Sequence, residues 1–544
     1  YKPITKSGFG AYPIMFSSDA FNYINNLIEF GNKSGWINEK PNSIPFHILL
    51  VFYNFLFDSK KRFPNGIYIL ADDLGYGEVG FNGQKLIETP NIDYLASKGM
   101  IFSNHYSGAA VCAPTRAVFV SGIHTGKNHI RNNSEWAERG DVWSFRAMLD
   151  DPSLEGQRPL PDTIKTVAHI FKSQGYKTGM VGKWGLGAPN TNSIPNKMGF
   201  DFFYGYNCQR QAHTYYPTHL WKNQKREYLN NYIVDKKQNL SEGLDPMDPY
   251  NYEDYFQEDY APTLMLNQAL NFIEKNKNDN FFLYYASIIP HLPLQAPKKW
   301  VDYYVEKFGD ENPYYPAYAY YPNRYPKATY AAMISYLDEI VGSLTQKLKD
   351  INQFDNTIIM FTSDNGVTHL DQVDSGFFNS SAIFSDDNDR VKGSLYEGGI
   401  RVPSFVTWPR MIDEGSFSDH ISSTQDFYAT ILDLFKIKKP NYITGLSFLP
   451  TLLGNKQDKH EYLYWETNSR LGQQAIRLDK WKAIRRNIAN GNKEIELFNL
   501  TLDPMEKDDV SSSNLEVISL LEKIFNDART TPTLKNFYIK SLDY

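Results

Sequence analysis

Cysteine is almost missing from this chain, with only Cys112 and Cys208 among 544 residues. Two thiols cannot build a disulfide framework, and if one of them serves chemistry no intrachain bridge remains. Excess positive charge is missing too. A formal net charge of -6 leaves no basic footprint for nucleic acid, and no such partner is expected. No apolar run reaches the length of a membrane span, and no fixed period marks a solenoid. What is present is core-forming material. Hydrophobic residues make up 42% and aromatic residues 15% of the chain, enough for a large core and more than one domain.

Residues 1–62 carry no motif with a chemical reading. Within them the apolar stretch Ile48–Phe57 is shorter than a spanning helix and is followed by Lys60-Lys61-Arg62. It reads either as the hydrophobic part of an export signal, implying a periplasmic or secreted protein, or as an N-terminal extension. No A-x-A cleavage pattern decides between the two.

From residue 63 onward one pattern recurs, an apolar run ending in polar residues. Gly66–Ala71 runs into Asp72-Asp73, and Thr178–Val181 into Gly182-Lys183-Trp184. Phe281–Ile289 runs into Pro290-His291-Leu292-Pro293, and Thr357–Thr362 into Ser363-Asp364-Asn365-Gly366. Short continuous apolar runs suit strands buried on both faces of a parallel sheet. Helical spacing occupies Ile92–Lys98, Thr163–Gln174, Ala261–Lys275 and Ala328–Lys349, with Asp162 placed to cap the second and Gly175 to stop it. Strands alternating with helices predict an α/β sandwich with a large, mostly parallel sheet flanked by helices. The tail changes period. Gln473–Arg477 and Trp481–Arg485 flank a turn at Leu478-Asp479-Lys480, and Leu515–Ala528 is helical in spacing. A smaller C-terminal antiparallel sheet with a helix is therefore expected. The predicted organisation is an extension over 1–62, a main α/β domain over 63–440 and an α+β subdomain over 441–544.

In such sheets ligands collect beyond the carboxyl ends of the strands, where Asp72, Asp73, Lys183, His291, Asp364 and Asn365 would converge. Asp72, Asp73, Asp364 and Asn365 offer hard oxygen ligands, suited to calcium, or to magnesium with tighter geometry, rather than to structural zinc. An isolated pair of this kind is more often a turn or a helix cap; two pairs, each ending an apolar strand, favour a metal. Asp386-Asp387-Asn388-Asp389 reads as a solvated loop. The other concentration of chemistry is Cys112-Ala113-Pro114-Thr115-Arg116. A thiol beside a fixed cation reads as a depressed-pKa nucleophile, or else as a buried thiol in a proline turn.

The spacing C-x-P-[ST]-R resembles the modification signature of the type I, formylglycine-dependent sulfatases of the alkaline-phosphatase-like superfamily. Further resemblances run from Ile67 to Val510. They comprise Ala71–Gly75, Gly182-Lys183-Trp184, Pro290–Pro293, Ser363–Gly366, Val391-Lys392-Gly393 with Glu397–Pro403, and the late Trp481-Lys482 and Asp503-Pro504. The resemblance implies an alkaline-phosphatase-like fold and sulfate-ester hydrolysis, most like that of bacterial carbohydrate sulfatases. It implies that a maturation enzyme oxidises Cys112 to formylglycine, whose hydrated aldehyde attacks sulfur. It further implies a metal shell of Asp72, Asp73, modified Cys112, Asp364 and Asn365. Arg116, Lys183 and Lys392 would then compensate negative charge, and His291 would be a leaving-group acid or a donor to sulfate oxygen. The chain departs from the family pattern at one telling place. Many sulfatases have histidine two residues after the first lysine; this chain has Gly185, and His213 is the nearest candidate replacement.

The aromatic segments Tyr204–Trp221 and Tyr314–Tyr321 suit stacking on sugar faces, and His124, Arg210 and His369 are candidate contacts to substrate hydroxyls or sulfate. Phe377-Phe378-Asn379-Ser380 resembles a segment of bacterial polysaccharide sulfatases. The expected substrate is a sulfated glycan, most narrowly a galactose or N-acetylgalactosamine sulfate attacked from a chain end. Two other readings stand beside this one. A phosphonate or phosphodiester hydrolase of the same superfamily would meet substrates of similar shape and charge. A non-catalytic glycan-binding homologue would keep the site without turnover.

Overall fold

Every residue of the strand Asn65–Ala71 (β1), NGIYILA, is buried, which is what a nearly continuous apolar run requires of a strand covered on both faces. In this computed structural model, residues 63–235, 238–385, 387 and 389–544 are described. The apolar stretch Ile48–Phe57 and the rest of 1–62 lie outside the described residues, as do Asp386 and Asn388 of the acidic loop.

β1 belongs to a 10-stranded sheet. Its other members are β2 (Met100–Phe102), β3 (Lys177–Lys183), β4 (Phe202–Tyr206), β5 (His219–Lys222) and β6 (Lys225–Tyr228), followed by β7 (Phe281–Ala286), β8 (Thr357–Ser363), β9 (Phe405–Thr407) and β10 (Ser416–Ser418). Side by side they run β10-β2-β9-β8-β1-β7-β3-β4-β5-β6. The block from β8 to β4 is parallel throughout; β9 and β5 join its two sides antiparallel, and β6 pairs antiparallel with β5. The chain thus has an α/β fold with a mixed, mostly parallel sheet. Alternate side chains of β1 enter opposite layers. Ile67 and Ile69 pack with Met265 and Ile273 of α4 (Ala261–Lys275) and with Ile334 and Leu337 of α5 (Pro326–Asp350). Tyr68 and Leu70 pack with Phe119 of α2 (Cys112–Ser121), Phe171 of α3 (Val167–Ser173) and Phe427 of α6 (Asp426–Leu434). The helix α1 (Pro90–Ser97) joins the first of these layers through Ile92 and Leu95.

Two expected elements are shorter than the sequence pattern. The run Phe281–Ile289 stops pairing at Ala286, and the loop that follows carries Pro290 and Pro293, which have no N–H to give a ladder. The helix expected over Thr163–Gln174 begins at Val167, and its cap is Thr166 rather than Asp162. Thr166 and His169 form a reciprocal capping box, and Gly175 follows the helix with φ 81.

The tail forms a four-stranded antiparallel sheet of β11 (Leu463–Thr467), β12 (Gln473–Leu478), β13 (Trp481–Arg486) and β14 (Glu496–Asn499), covered by α7 (Leu515–Asp527). Ile443, Phe448, Leu449 and Leu452 still belong to the apolar cluster under the main sheet, so the chain reaches the smaller sheet only after this segment. Trp465 of β11 donates from its indole Nε1 to Ser107 O at 2.9 Å, tying the small sheet to the segment that leads into α2. Among the described residues no helix is long and apolar enough to cross a membrane.

Candidate active site

Because β8, β1, β7 and β3 are parallel and level, with Ala71 opposite Ser363 and Leu70 opposite Ala286, their carboxyl ends deliver side chains to one place. Asp72 N donates to Ile289 O and Asp364 N to Ala71 O, both at 3.0 Å. Asp73 takes a left-handed φ of 68, a conformation that costs a non-glycine residue energy and collects at functional sites. Its amide donates to Asp364 Oδ1 at 3.2 Å. Three short ion pairs, all of 2.9 Å or less, tighten the cluster. Lys183 Nζ lies 2.6 Å from Asp72 Oδ2, Lys392 Nζ 2.6 Å from Asp73 Oδ2, and Arg116 Nη2 2.9 Å from Asp364 Oδ2. Burial would raise the Asp72 carboxyl, but Lys183 and the neighbouring cations hold it well below the usual carboxylate range. Burial and then the facing Asp72 push Asp364 up to about 7.

Cys112 is the first residue of α2, and its Sγ lies 3.2 Å from Asp72 Oδ1. The preceding turn is closed by Thr115, whose hydroxyl accepts from Ala109 N and donates to Ala109 O, and by Asn133, which accepts from Ala113 N. Pro114 falls in the first helical turn, where its missing N–H breaks no intrahelical bond. Arg116 projects one turn further on and donates to Lys183 O as well as to Asp364. The depressed-pKa thiol read from the sequence is reversed here. Burial first and Asp72 next push the Cys112 thiol well above its ordinary value, because Arg116 is already engaged with carboxylates. Cys208 is buried elsewhere, 3.9 Å from Met148 Sδ.

His291 Nδ1 lies 2.7 Å from Leu292 O; a carbonyl only accepts, so that nitrogen carries the proton and Nε2 faces Asp73 Oδ2 at 3.8 Å. Burial and then Lys392 push the imidazole down to about 4. The His213 ring stacks on His291 with centroids 5.1 Å apart, and Tyr320 meets both rings edge-on. Gly185 has φ 69, and a Cβ there would come within 2.7 Å of Gln209 Cγ. Histidine has neither the backbone nor the room at that position, and the imidazole near His291 comes instead from the 3₁₀ turn Gln211–His213. Arg210 Nη1 lies 3.0 Å from His213 Nδ1; a guanidinium only donates, so the His213 proton sits on Nε2. The same guanidinium donates to Trp143 O and rests over the Trp143 and Phe145 rings.

Other candidates fall differently. His369 stands exposed, within electrostatic reach of Lys392 and Arg470. His124 is not brought to the cluster. It lies beyond the far end of α2, about 15 Å of helix away from Cys112, accepts from Gly126 N and packs on Tyr464. Its role as a substrate contact is therefore corrected to one in the seam with β11. Tyr204, Tyr206 and Tyr215 are core residues rather than a sugar platform, whereas Tyr318 is 77% exposed. Ser380 anchors Glu78 and Phe378 packs on Tyr330, so that segment supports the loop after β1. The sequence reading missed Asn133, Trp143 and Arg470, which donates to Lys392 O, and gave a stacking role to Tyr215, whose hydroxyl instead lies 2.7 Å from Ile288 O and His291 O. Each meets the site across a long sequence separation and carries no local motif.

Asp72, Asp73, Cys112 and His291 each place one ligand atom within 4.8 Å of the others. Asn365 uses Nδ2 on Asp73 Oδ1 and Gly366 O, while its buried Oδ1 has no hydrogen-bond partner. A buried amide oxygen with nothing to accept, set among three carboxylates, fits an oxygen-ligated dication.

Known proteins share this arrangement of chain. The Sulfatase family model matches residues 64–437, and the model for the C-terminal region of N-sulphoglucosamine sulphohydrolase matches 390–530. N-acetylgalactosamine-6-sulfatase of Homo sapiens is 26% identical over 495 residues, covering 85% of this chain and 84% of that protein. Arylsulfatase J of Mus musculus is 28% identical over 506 residues, covering 82% of this chain and 73% of that protein. Among solved structures, Ps i-CgsB in complex with k-i-k-neocarrahexaose has a TM-score of 0.66 and 27% identity over 87% of this chain and 94% of that one. With the family match running unbroken from β1 through Cys112 to the Lys392 segment, the chain belongs to the sulfatase family of hydrolases.

Proposed function

We propose that the protein hydrolyses sulfate esters of a sulfated carbohydrate and releases inorganic sulfate. The observation that carries this reading is a single buried cluster. It joins Cys112 at a helix start, the cations Lys183 and Lys392, and the oxygen donors Asp72, Asp73, Asp364 and Asn365. Formylglycine made from Cys112 by a maturation enzyme supplies an oxygen nucleophile for sulfur. A dication, calcium in this reading or magnesium, is held by the four oxygen-bearing residues and supplies positive charge to the ester oxygens. Lys183 and Lys392 are placed to compensate negative charge growing on the sulfuryl group. Arg116 fixes Asp364 and Asp72 and acts as a positioning residue. His291, its Nδ1 proton committed to Leu292 O, offers Nε2; an anionic ester beside it favours protonation there, making a donor for the leaving oxygen. His213, stacked on His291 and held by Arg210, is placed beside the reacting group as a further contact to sulfate or sugar hydroxyls.

The narrower reading is exo action on a galactose or N-acetylgalactosamine sulfate. It is supported by one relative being named for N-acetylgalactosamine-6-sulfate and by a neocarrahexaose in a structural neighbour. A polymeric glycan is met outside the cytoplasm, which favours a periplasmic or secreted location; cell fractionation tests that.

The decisive experiment measures sulfate release by protein co-produced with a formylglycine maturation enzyme. The panel holds singly sulfated galactose, N-acetylgalactosamine and glucosamine, with a phosphodiester alongside. Release from one regioisomer is expected, and none from Cys112→Ala protein. A chelator should suppress turnover, and add-back of calcium or magnesium identifies the metal. Faster cleavage of the phosphodiester than of every sulfate ester would reassign the protein to the phosphonate and phosphodiester hydrolases. Glycan binding without turnover in fully matured protein would make it a non-catalytic homologue.

A further inference from the structure

A cavity of about 520 Å³ opens where the C-terminal sheet meets the outer strands of the main sheet, lined among others by His420, Lys459, His460, Arg477 and Lys480. It is separate from the cluster around Cys112. The strand β12 starts at Gln473, whose side chain bonds Gly393 O and Leu395 N beside Lys392. Arg477 stands four residues further along, roughly 13 Å at the rise of an extended strand.

The hydrogen bonding at this cavity does not close. Arg477 is only 7% exposed, and its Nε and Nη1 have no hydrogen-bond partner. Across the ladder it faces Lys482, a like charge directly opposite. The nearest buried carboxylates make their direct ion pairs with other groups. Glu397 is bound by Lys482 and by Arg401, both at 2.9 Å, and feels Arg477 only through space, and Glu506 is bound by Lys482 at 3.2 Å. Asp426 is taken by His460 at 2.8 Å. Asp419, Glu461 and Asp479 also line the cavity, but among the described residues no carboxylate lies within ion-pair distance of Arg477. His420 Nε2 is likewise buried without a partner. A buried guanidinium with unmade hydrogen bonds is costly, and its planar fork matches the oxygens of a sulfate or carboxylate.

We infer that this cavity is a second anion site that takes a sulfate group against Arg477, with Lys480 and Lys459 at its rim, apart from the place of hydrolysis. The same chemistry has two sources, a sulfated saccharide and the free sulfate ion released by the reaction. The volume lies within the range of about 300–1,000 Å³ typical of small-molecule sites and far exceeds what a lone sulfate fills, which favours the saccharide. The saccharide identity rests on the sulfatase reading above; the anion site does not.

The test uses the full chain carrying Cys112→Ala, so that saccharide is bound and not consumed. Calorimetric titrations employ a sulfated oligosaccharide, its desulfated counterpart and inorganic sulfate. Arg477→Gln and Lys480→Ala are added to this background, with thermal unfolding to check the fold, and the same substitutions in matured protein are assayed on a sulfated monosaccharide. Two sites for the sulfated oligosaccharide are expected. The second should weaken about tenfold or more in Arg477→Gln and severalfold in Lys480→Ala, the size of a lost charge-assisted hydrogen bond. Monosaccharide turnover should stay within about twofold of the parent, since neither residue touches the Cys112 cluster. Inorganic sulfate binding as tightly as the oligosaccharide, and lost in Arg477→Gln, assigns the site to the free ion. Undiminished binding in both folded variants, or equal binding of the desulfated sugar, overturns the inference. Absent monosaccharide turnover together with Arg477-dependent binding would overturn the sulfatase reading and leave the anion site standing.

Discussion

At the scale of single residues, the cations around Cys112 divide by what they touch. Arg116 is fully buried and answers two carboxylates, so Arg116→Ala leaves Asp364 and Asp72 uncompensated in the interior. A loss of about 3–5 kcal/mol in stability is expected, read as a lowered unfolding midpoint. Lys392 reaches Asp73 from a partly open side, 13% exposed. Lys392→Ala should unfold near the parent midpoint and lose about 10²–10³ in kcat instead. Equal unfolding midpoints for the two variants would count against this division. His213→Ala should lower kcat about tenfold or more, and Gly185→His should not restore it, because φ 69 and Gln209 exclude an imidazole there. Near-parental turnover by His213→Ala removes that residue from the chemistry. The cluster itself was legible because Asp72, Lys183 and Asp364 each stand at or just past the end of an apolar run. His124 was misread for a physical reason. It lies close to Cys112 in sequence, but a rigid helix carries it to the opposite end of the layer.

Elements were legible where burial and periodicity agree. β1 and β8 are buried on both faces, and α4 spans Ala261–Lys275, the bounds its spacing predicts. Boundaries failed where tertiary contacts replace ladder bonds. Ile288 and Ile289 are as buried as any strand residue, yet Ile289 O serves Asp72 N and the segment carries the His291 loop. The start of α3 turned on a rival cap. Thr166 is buried with its hydroxyl also bonded to Met198 O, whereas Asp162 is exposed. Thr166→Ala should therefore cost about 1 kcal/mol or more by denaturant unfolding. Asp162→Ala should cost less than about 0.5 kcal/mol, as at an ordinary surface position. The reverse order would restore the earlier start of the helix.

For the molecule as a whole, the seam between the sheets was invisible in the sequence because its partners are far apart in the chain. Glu466 of β11 is its hub. Its carboxylate takes Arg131, from the segment after α2, at 2.8 Å and Arg529, beyond α7, at 2.7 Å, with the Tyr464 hydroxyl also bonded. Burial alone would raise the Glu466 carboxyl; Arg529 and Arg131 outweigh that and hold it below its usual range. The sign follows from linkage. A depressed folded-state pKa gives stability that is present above the unfolded value, about 4.3, and is lost as pH falls through the lower folded value. Glu466→Gln keeps the shape but removes the charge, leaving two largely buried guanidinium groups without their shared anion. It should cost about 3–5 kcal/mol near pH 7. Unfolding curves at pH 7, 5, 4 and 3 should show the gap between parent and variant holding down to about pH 5 and then narrowing, as the parent itself takes up the proton. Below its unfolding temperature the variant should keep kcat within about twofold, since Glu466 touches none of the groups around Cys112. A stability gap independent of pH would show that Glu466 holds the seam by packing and hydrogen bonding rather than by its charge.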